Sequence, residues 1–245
     1  MNIIFPSAGE GSRFTSAGYV NPKPLINVGG KSIIERAISS LGAKGNYYVV
    51  TSCLPDGQVN RIKDVLKKNK LSGDVINLSH KTTGAPETCL AVESFINSNE
   101  PLIICNNDHE TSWNFNLFES FVKENDYDAV VTTYSFSNIK IGEKSPYSHV
   151  RVDKNRLALE FAEKTAISDL TLNGIFYWKN AKTFFDSARL LIKNPFFVNG
   201  EKYVSQTLNY LVDSGLRVSY YPMEESEYVS LGTPEDVNKN ISKLK

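Results

Sequence analysis

Residues 2 to 25 read N-I-I-F-P-S-A-G-E-G-S-R-F-T-S-A-G-Y-V-N-P-K-P-L. An apolar strand pattern, Ile3 to Phe5, runs into a turn holding Gly9 and Gly11, followed by Arg13 and then by Lys23 between two prolines. Neither glycine carries a Cβ, so the backbone can turn tightly and approach a ligand closely. Successive amides in such a turn form an anion-binding concavity. Arg13 adds a planar fork suited to phosphate oxygens, and Lys23 adds a compact charge. Pro22 and Pro24 have fixed φ, which pre-positions the lysine backbone. A strand feeding a cradle for a triphosphate, with Ala8, Gly9, Gly11 and Ser12 in its wall, is an α/β opening.

Two other phosphate motifs fail on spacing. A dinucleotide fingerprint needs a third glycine where Phe14 stands and a helix opening at once, whereas helical periodicity is expected only from Ser32. A Walker A loop would use Gly30, Lys31 and Ser32, but Leu25 occupies the place of its first glycine. The full string M-N-I-I-F-P-S-A-G-E-G-S-R-F…G-Y…P-K-P-L-I-N-V-G-G-K-S-I-I-E resembles the sugar-phosphate nucleotidylyltransferases, the NDP-sugar pyrophosphorylase-like enzymes that make nucleotide-activated building blocks. Its G-S-R-F-x-x-x-G-Y-x-x-P-K-P variant is similar to those associated with bacterial capsule and surface polysaccharide. The resemblance implies an α/β fold with a Rossmann-like, mostly parallel mixed sheet flanked by helices, of nucleotidyltransferase/glycosyltransferase-A type, with a smaller α+β acceptor lobe.

The 245 residues suffice for one sizeable core, and no linker composition divides them. The expectation is one domain over 1–245, with a nucleotide-binding half to about residue 110 and an acceptor-binding half beyond it. Lys plus Arg and Asp plus Glu balance at 27 each, so no global field favours nucleic acid or an anionic membrane. No stretch reaches the roughly 18 apolar residues of a membrane span, and the N-terminal run lacks a basic flank, so the chain reads as cytoplasmic. Cys53, Cys89 and Cys105 lack C-x-x-C spacing and read as buried free thiols of a reducing compartment. A homodimer is the commonest assembly to expect.

Strand patterns at 2–7, 47–52, 75–78 and 102–105 alternate with helical ones, the pattern of a parallel sheet covered on both faces. Ser32 and Glu35 form a capping-box pattern ahead of one helix, and a later helix is expected over 87–96. After residue 110, strands at 129–135, 148–152, 157–162 and 174–178 precede helices at 181–192, 204–213 and 234–244. Ligands of an open parallel sheet bind beyond the carboxyl ends of its strands, where 8–13 and 106–108 both fall.

Asp108 at such a strand tip suits Mg²⁺, which takes oxygen ligands and bridges protein to phosphates. Beside it, Asn107 joins the nucleotide-binding set, and His109 reads as a hydrogen-bonded surface histidine. Trp113 and Phe115 read as core or acceptor-wall aromatics. The resemblance also places Thr83, Gly84, Ala85 and Thr88 near base and ribose, although Thr, Gly and Pro equally make an ordinary helix cap. It further implies acceptor contacts from Tyr147, Ser148, Glu163 and Lys164, with Lys164 on the acceptor phosphate and Glu201 bordering the pocket. Where many relatives carry a second metal-binding aspartate, this chain has Ser230. The ion is therefore expected to rest mainly on Asp108 and substrate oxygens, with compensation by Asp236 or another acid as the alternative.

These residues imply transfer of a nucleotidyl group from CTP, dTTP or UTP to a sugar 1-phosphate, with Arg13 and Lys23 catalytic and pyrophosphate leaving. A CTP-dependent reaction on a phosphocholine-like, phosphonate or other phospho-alcohol acceptor stays open. So do two readings of another class, a nucleotide-sugar glycosyltransferase and a non-catalytic nucleotide-binding protein.

Overall fold

Alternation along the first strand explains the layering. The computed structural model describes residues 1–135 and 140–244. In β1 (Asn2–Pro6), Ile3 and Phe5 point into one hydrophobic core and Ile4 into another, on opposite faces of the sheet. A short helix, α1 (Ser12–Ser16), and a small hairpin of β2 (Asn27–Val28) and β3 (Lys31–Ser32) lead to α2 (Ile33–Leu41). Then come β4 (Asn46–Ser52), α3 (Asp56–Lys68), β5 (Ser72–Leu78), α4 (Ala85–Leu90) and β6 (Leu102–Cys105). β6, β1, β4 and β5 pair in parallel; the apolar runs of β6, β1 and β4 reflect burial on both faces, whereas β5 at the sheet edge is mostly exposed.

The second part begins with β7 (His109–Thr111) and α5 (Phe115–Asn125), followed by β8 (Ala129–Ser135), β9 (Lys144–Val152), β10 (Ala158–Thr165) and β11 (Leu170–Trp178). It closes with α6 (Ala181–Lys193), α7 (Val204–Asp213), β12 (Val218–Pro222), β13 (Tyr228–Ser230) and α8 (Pro234–Asn240). β11 pairs antiparallel with β6, so among the described residues both parts share one mixed nine-stranded sheet, ordered β10-β9-β11-β6-β1-β4-β5, with β8 paired to β11 and β12 to β8. Helices α2, α3 and α5 cover one face, while α4, α6 and α7 cover the other.

Ser32 caps α2 as its spacing predicts, its hydroxyl accepting from the Glu35 amide at 3.3 Å. The other half of the box is absent because Glu35 pairs with Lys68 at 2.6 Å. The helix expected over 87–96 begins at Ala85, stops at Leu90 and resumes only as a 3₁₀ turn over Glu93–Phe95. Helix formation also begins well before Ser32, in the five-residue α1. Cys89 and Cys105 are buried as expected, but Cys53 is exposed. Among the described residues, no helix is long and apolar enough to cross a membrane.

A third, smaller cluster positions the functional residues. Phe14, Ile26, Val28 and Ile33 from the opening segment pack with Leu231, Val237 and Leu244, drawing the C-terminal segment against the N-terminal loops.

Candidate active site

The Gly9–Arg13 turn leaves the carboxyl end of β1, where β4 and β6 hold the strand on both sides. Gly11 adopts φ 62°, ψ 31°, a left-handed conformation that favours glycine. A Cβ there would come within 2.9 Å of the Lys23 Cβ, so this glycine lets the turn and the P-K-P segment touch. Phe14, in place of a third fingerprint glycine, is buried and packs edge-on against Tyr19 at 5.3 Å. It anchors the turn from below, leaving Ser12 and Arg13 exposed.

Opposite the turn, β6 delivers Asn106, Asn107 and Asp108. Lys23 Nζ lies 2.6 Å from Asp108 Oδ2. Burial acts to raise the Asp108 pKa, but the adjacent Lys23 ammonium, helped by His109 and Arg13, holds it below the ordinary carboxylate value. Asp108 is thus an anion. Asn107 ties the two strand ends together, its amide donating to Ser7 Oγ at 2.7 Å and to the Pro6 carbonyl at 3.1 Å. His109 is not at the surface: it is 1% exposed, its Nδ1 has no hydrogen-bond partner, and burial pushes its pKa down to about 4. Its ring packs against Tyr228 at 5.1 Å, as a neutral core side chain.

The second wall is the T-T-G-A turn. Gly84, at φ 151°, is a point of close backbone approach, but to the protein: a Cβ would lie 2.1 Å from the Lys202 carbonyl oxygen. The Lys202 amide donates to Thr83 O at 3.0 Å, joining this turn to the segment before α7. The Thr83 amide and hydroxyl both donate to Glu87 Oε2 at 2.6 Å, while Thr88 Oγ1 meets Thr82 Oγ1 at 2.7 Å. These hydroxyls hold the turn together but do not cap the helix: the N-cap residue of α4 is Gly84, and no side chain accepts from its first amides. Lys81, which the sequence reading passed over, pairs with Glu10 across the cleft mouth.

Together these segments line a cleft of about 500 Å³. Ala8, Gly9, Gly11, Ser12, Arg13, Lys23, Thr83, Gly84, Ala85, Thr88, Asn107, Asp108 and Glu201 all contribute to its walls. Tyr203, two residues beyond Glu201, lines it too, and so does Gly232, which was missed because an isolated glycine carries no chemical signature.

The other acceptor residues lie beyond that lining. Glu163 and Lys164 straddle a bulge in β10, where Lys164 takes φ 61°. Only 2% of the Glu163 side chain is exposed. Its Oε2 accepts from Ser148 Oγ and, at 2.7 Å, from Ser205 Oγ, so this carboxylate clamps β9 and α7 to β10. Lys164 Nζ donates to the Pro146 carbonyl at 2.5 Å and sits 5.4 Å from the Tyr203 ring centre. Tyr203 connects this cluster to the cleft; burial first, then Glu201 and Glu163, raise its pKa to about 12. Tyr147 packs edge-on with Tyr134 at 6.4 Å. Lys202, next to Glu201, is turned away and buried, donating to the Leu191 carbonyl at 2.8 Å and to that of Asn194.

The donor chemistry fits Mg²⁺. Asp108 offers hard oxygens, and among the described residues no group of three or more His, Cys, Asp or Glu side chains forms a metal cage. Mg²⁺ is commonly held in this way, by one or two carboxylates completed by water and substrate phosphates.

In the solved structures, the fold recurs in the nucleoside-diphosphate-sugar pyrophosphorylase from Vibrio cholerae RC9, at TM-score 0.83 and 19% identity, covering 99% of this chain and 100% of that one. It recurs in the inositol-1-phosphate CTP transferase from T. maritima, at TM-score 0.76 and 18% identity, over 99% and 95% of the two chains. A UDP-glucose pyrophosphorylase complexed with UDP-glucose aligns at TM-score 0.77 and 17% identity, over 99% and 97%. No curated protein matches the chain in sequence. The family model for nucleotidyl transferases matches residues 2–244, nearly the whole sequence that builds the sheet and cleft, so the chain belongs to the nucleotidyl transferase family and is a nucleotidyltransferase.

Proposed function

We propose that the enzyme couples CTP, dTTP or UTP to a sugar 1-phosphate or another small phosphorylated acceptor and releases pyrophosphate. The observation that carries this reading is the Lys23–Asp108 pair, at 2.6 Å, in a cleft also lined by Gly9, Gly11 and Arg13. An acceptor phosphate oxygen attacks the α-phosphorus in line, the bond to the β-phosphate oxygen breaks, and pyrophosphate departs with its electron pair. No protein nucleophile is needed, so catalysis is positioning and charge neutralisation. Amides of the glycine turn receive the β- and γ-phosphates, and Arg13 stabilises charge on the leaving group. Lys23 moves from Asp108 to the α-phosphate and the incoming oxyanion. Asp108 would hold Mg²⁺, which supplies Lewis-acid neutralisation of phosphate charge when bound. Lys164 receives the acceptor phosphate beside Tyr203.

Two acceptor classes are supported. Capsule-type motifs favour a hexose 1-phosphate, for surface-polysaccharide precursors made in the bacterial cytoplasm. The structural likeness to an inositol-1-phosphate CTP transferase supports a polyol or other phospho-alcohol with CTP. The test is pyrophosphate release from each of the common nucleoside triphosphates, paired with a panel of sugar 1-phosphates and phospho-alcohols and with Mg²⁺. Release with one base and one acceptor class is the expected result. Nucleotide binding without release from any pair would refute the assignment.

A further inference from the structure

The C-terminal segment carries a second carboxylate toward Asp108. β13 pairs antiparallel with β7, setting Ser230 opposite His109, and the Leu231 amide donates to the Asp108 carbonyl at 2.7 Å. Thr233 then caps α8, its hydroxyl accepting from the Asp236 amide at 3.1 Å. Held in this first turn, Asp236 reaches back, and Ser230 Oγ donates to its Oδ2 at 3.1 Å.

Between them lies Gly232, on the wall of the cleft. A Cβ at Gly232 would sit 3.3 Å from Asp108 Oδ2, 3.6 Å from Ser230 Oγ and 3.7 Å from Asp236 Oδ2. The space that a side chain at 232 would fill is therefore walled by two carboxylate oxygens and a hydroxyl from separate parts of the chain. Lys23 neutralises Asp108 Oδ2 at 2.6 Å, and once that ammonium turns to a phosphate the two carboxylates are left facing one hollow, whose oxygens suit a hard divalent ion.

We propose that Asp236 is the second anionic ligand of the divalent-cation site, acting directly or through a bound water. Ser230 positions its carboxylate, and Gly232 keeps the hollow open. This deepens the reading of the cleft as a metal-assisted nucleotidylyl site and rests on it. Of the two expectations drawn from Ser230, it takes up the alternative, compensation by Asp236, over an ion resting mainly on Asp108 and substrate oxygens: an acid six residues beyond Ser230 supplies the missing charge.

The test is direct binding of Mn²⁺ alone, followed by electron paramagnetic resonance, with folding checked by circular dichroism. Asp236→Asn is isosteric, and it should weaken Mn²⁺ binding by about tenfold or more, as should Asp108→Asn. Gly232→Ala retains both carboxylates but fills the hollow, and it should weaken binding similarly. The Gly232 backbone lies outside the left-handed region, so alanine adds no backbone strain, and this variant decides the matter if Asp236→Asn fails to fold. Ser230→Ala should weaken binding less, with recovery in Ser230→Thr. Wild-type Mn²⁺ affinity in folded Asp236→Asn, or no Mn²⁺ binding by the wild-type protein, would overturn the proposal, whereas the proposed activity is tested separately by pyrophosphate release from the wild type. Conversely, failure of the wild type to release pyrophosphate would remove the proposed activity and leave the Mn²⁺ comparison standing.

Discussion

Lys23 holds Asp108 at 2.6 Å and lies against the glycine turn, where its Cβ excludes any side chain from Gly11. Its charge is therefore stationed where a phosphate must pass. Lys23→Ala and Arg13→Ala should each lower turnover by about 10²–10³, the scale of removing one pre-positioned donor, with little change in melting temperature. A folded variant that releases pyrophosphate at near wild-type rate would contradict the assigned role. These two residues were legible because their chemistry follows from type and spacing. Glu163 was legible as a position but not as a role: what the carboxylate touches depends on Ser148 and Ser205, which reach it from other elements. His149 makes a separate prediction. Its ring meets the Ser168 carbonyl at 3.0 Å and Ser145 Oγ at 2.7 Å, and burial pushes its pKa below the usual 6.5 despite the raising effects of Ser168 and Glu163. The unfolded chain binds this proton more readily, so the stability His149 contributes is intact above about pH 6.5 and is lost as pH falls below it. His149→Asn should flatten that acid-side decline in a urea-denaturation series; parallel curves for variant and wild type would count against it.

At the scale of elements, segments carrying an uninterrupted apolar run or a clear helical stripe were readable and others were not. β6 and α7 fall at the expected residues, because apolar runs and helical stripes are local signals. α5 and β7 were missed, although Trp113 and Phe115 read as core or acceptor-wall aromatics and the core reading holds: with Phe118 they pack among themselves and against Tyr221 to hold a helix on the sheet. The Lys202 contact shows why composition misleads. N-G-E-K-Y holds a charged pair and no apolar run, yet Lys202 is 2% exposed and bonds the Leu191 and Asn194 carbonyls at the end of α6 while its own backbone pairs with the T-T-G-A turn. Lys202→Met should leave buried carbonyls unpaired and destabilise the protein by about 2–3 kcal/mol in denaturant titrations. Because those bonds tie the end of α6 to the residue whose backbone holds the T-T-G-A turn, nucleotide affinity should fall as well; a change in stability alone would separate the lysine from the cleft.

Across the whole molecule, the cleft gathers segments from residue 6 to residue 232, so a nucleotide bound as proposed would bridge both ends of the chain. Nucleotide with Mg²⁺ at about 100 times its dissociation constant should add about 2.7 kcal/mol and raise the melting temperature by several degrees. A melting temperature unmoved by any nucleoside triphosphate would place the ligand elsewhere. The sequence by itself determined the α/β class, the phosphate turn, the P-K-P lysine and Asp108, because each follows from periodicity or from residue chemistry over a short span. Tertiary structure alone decided that β11 joins both parts into one sheet, that Glu163 and Lys202 serve as internal ties, and that Asp236 faces Asp108 across Gly232. Those outcomes depend on strand pairing between distant segments and on the packing of Phe14 with Leu231 and Val237, interactions that no local pattern encodes.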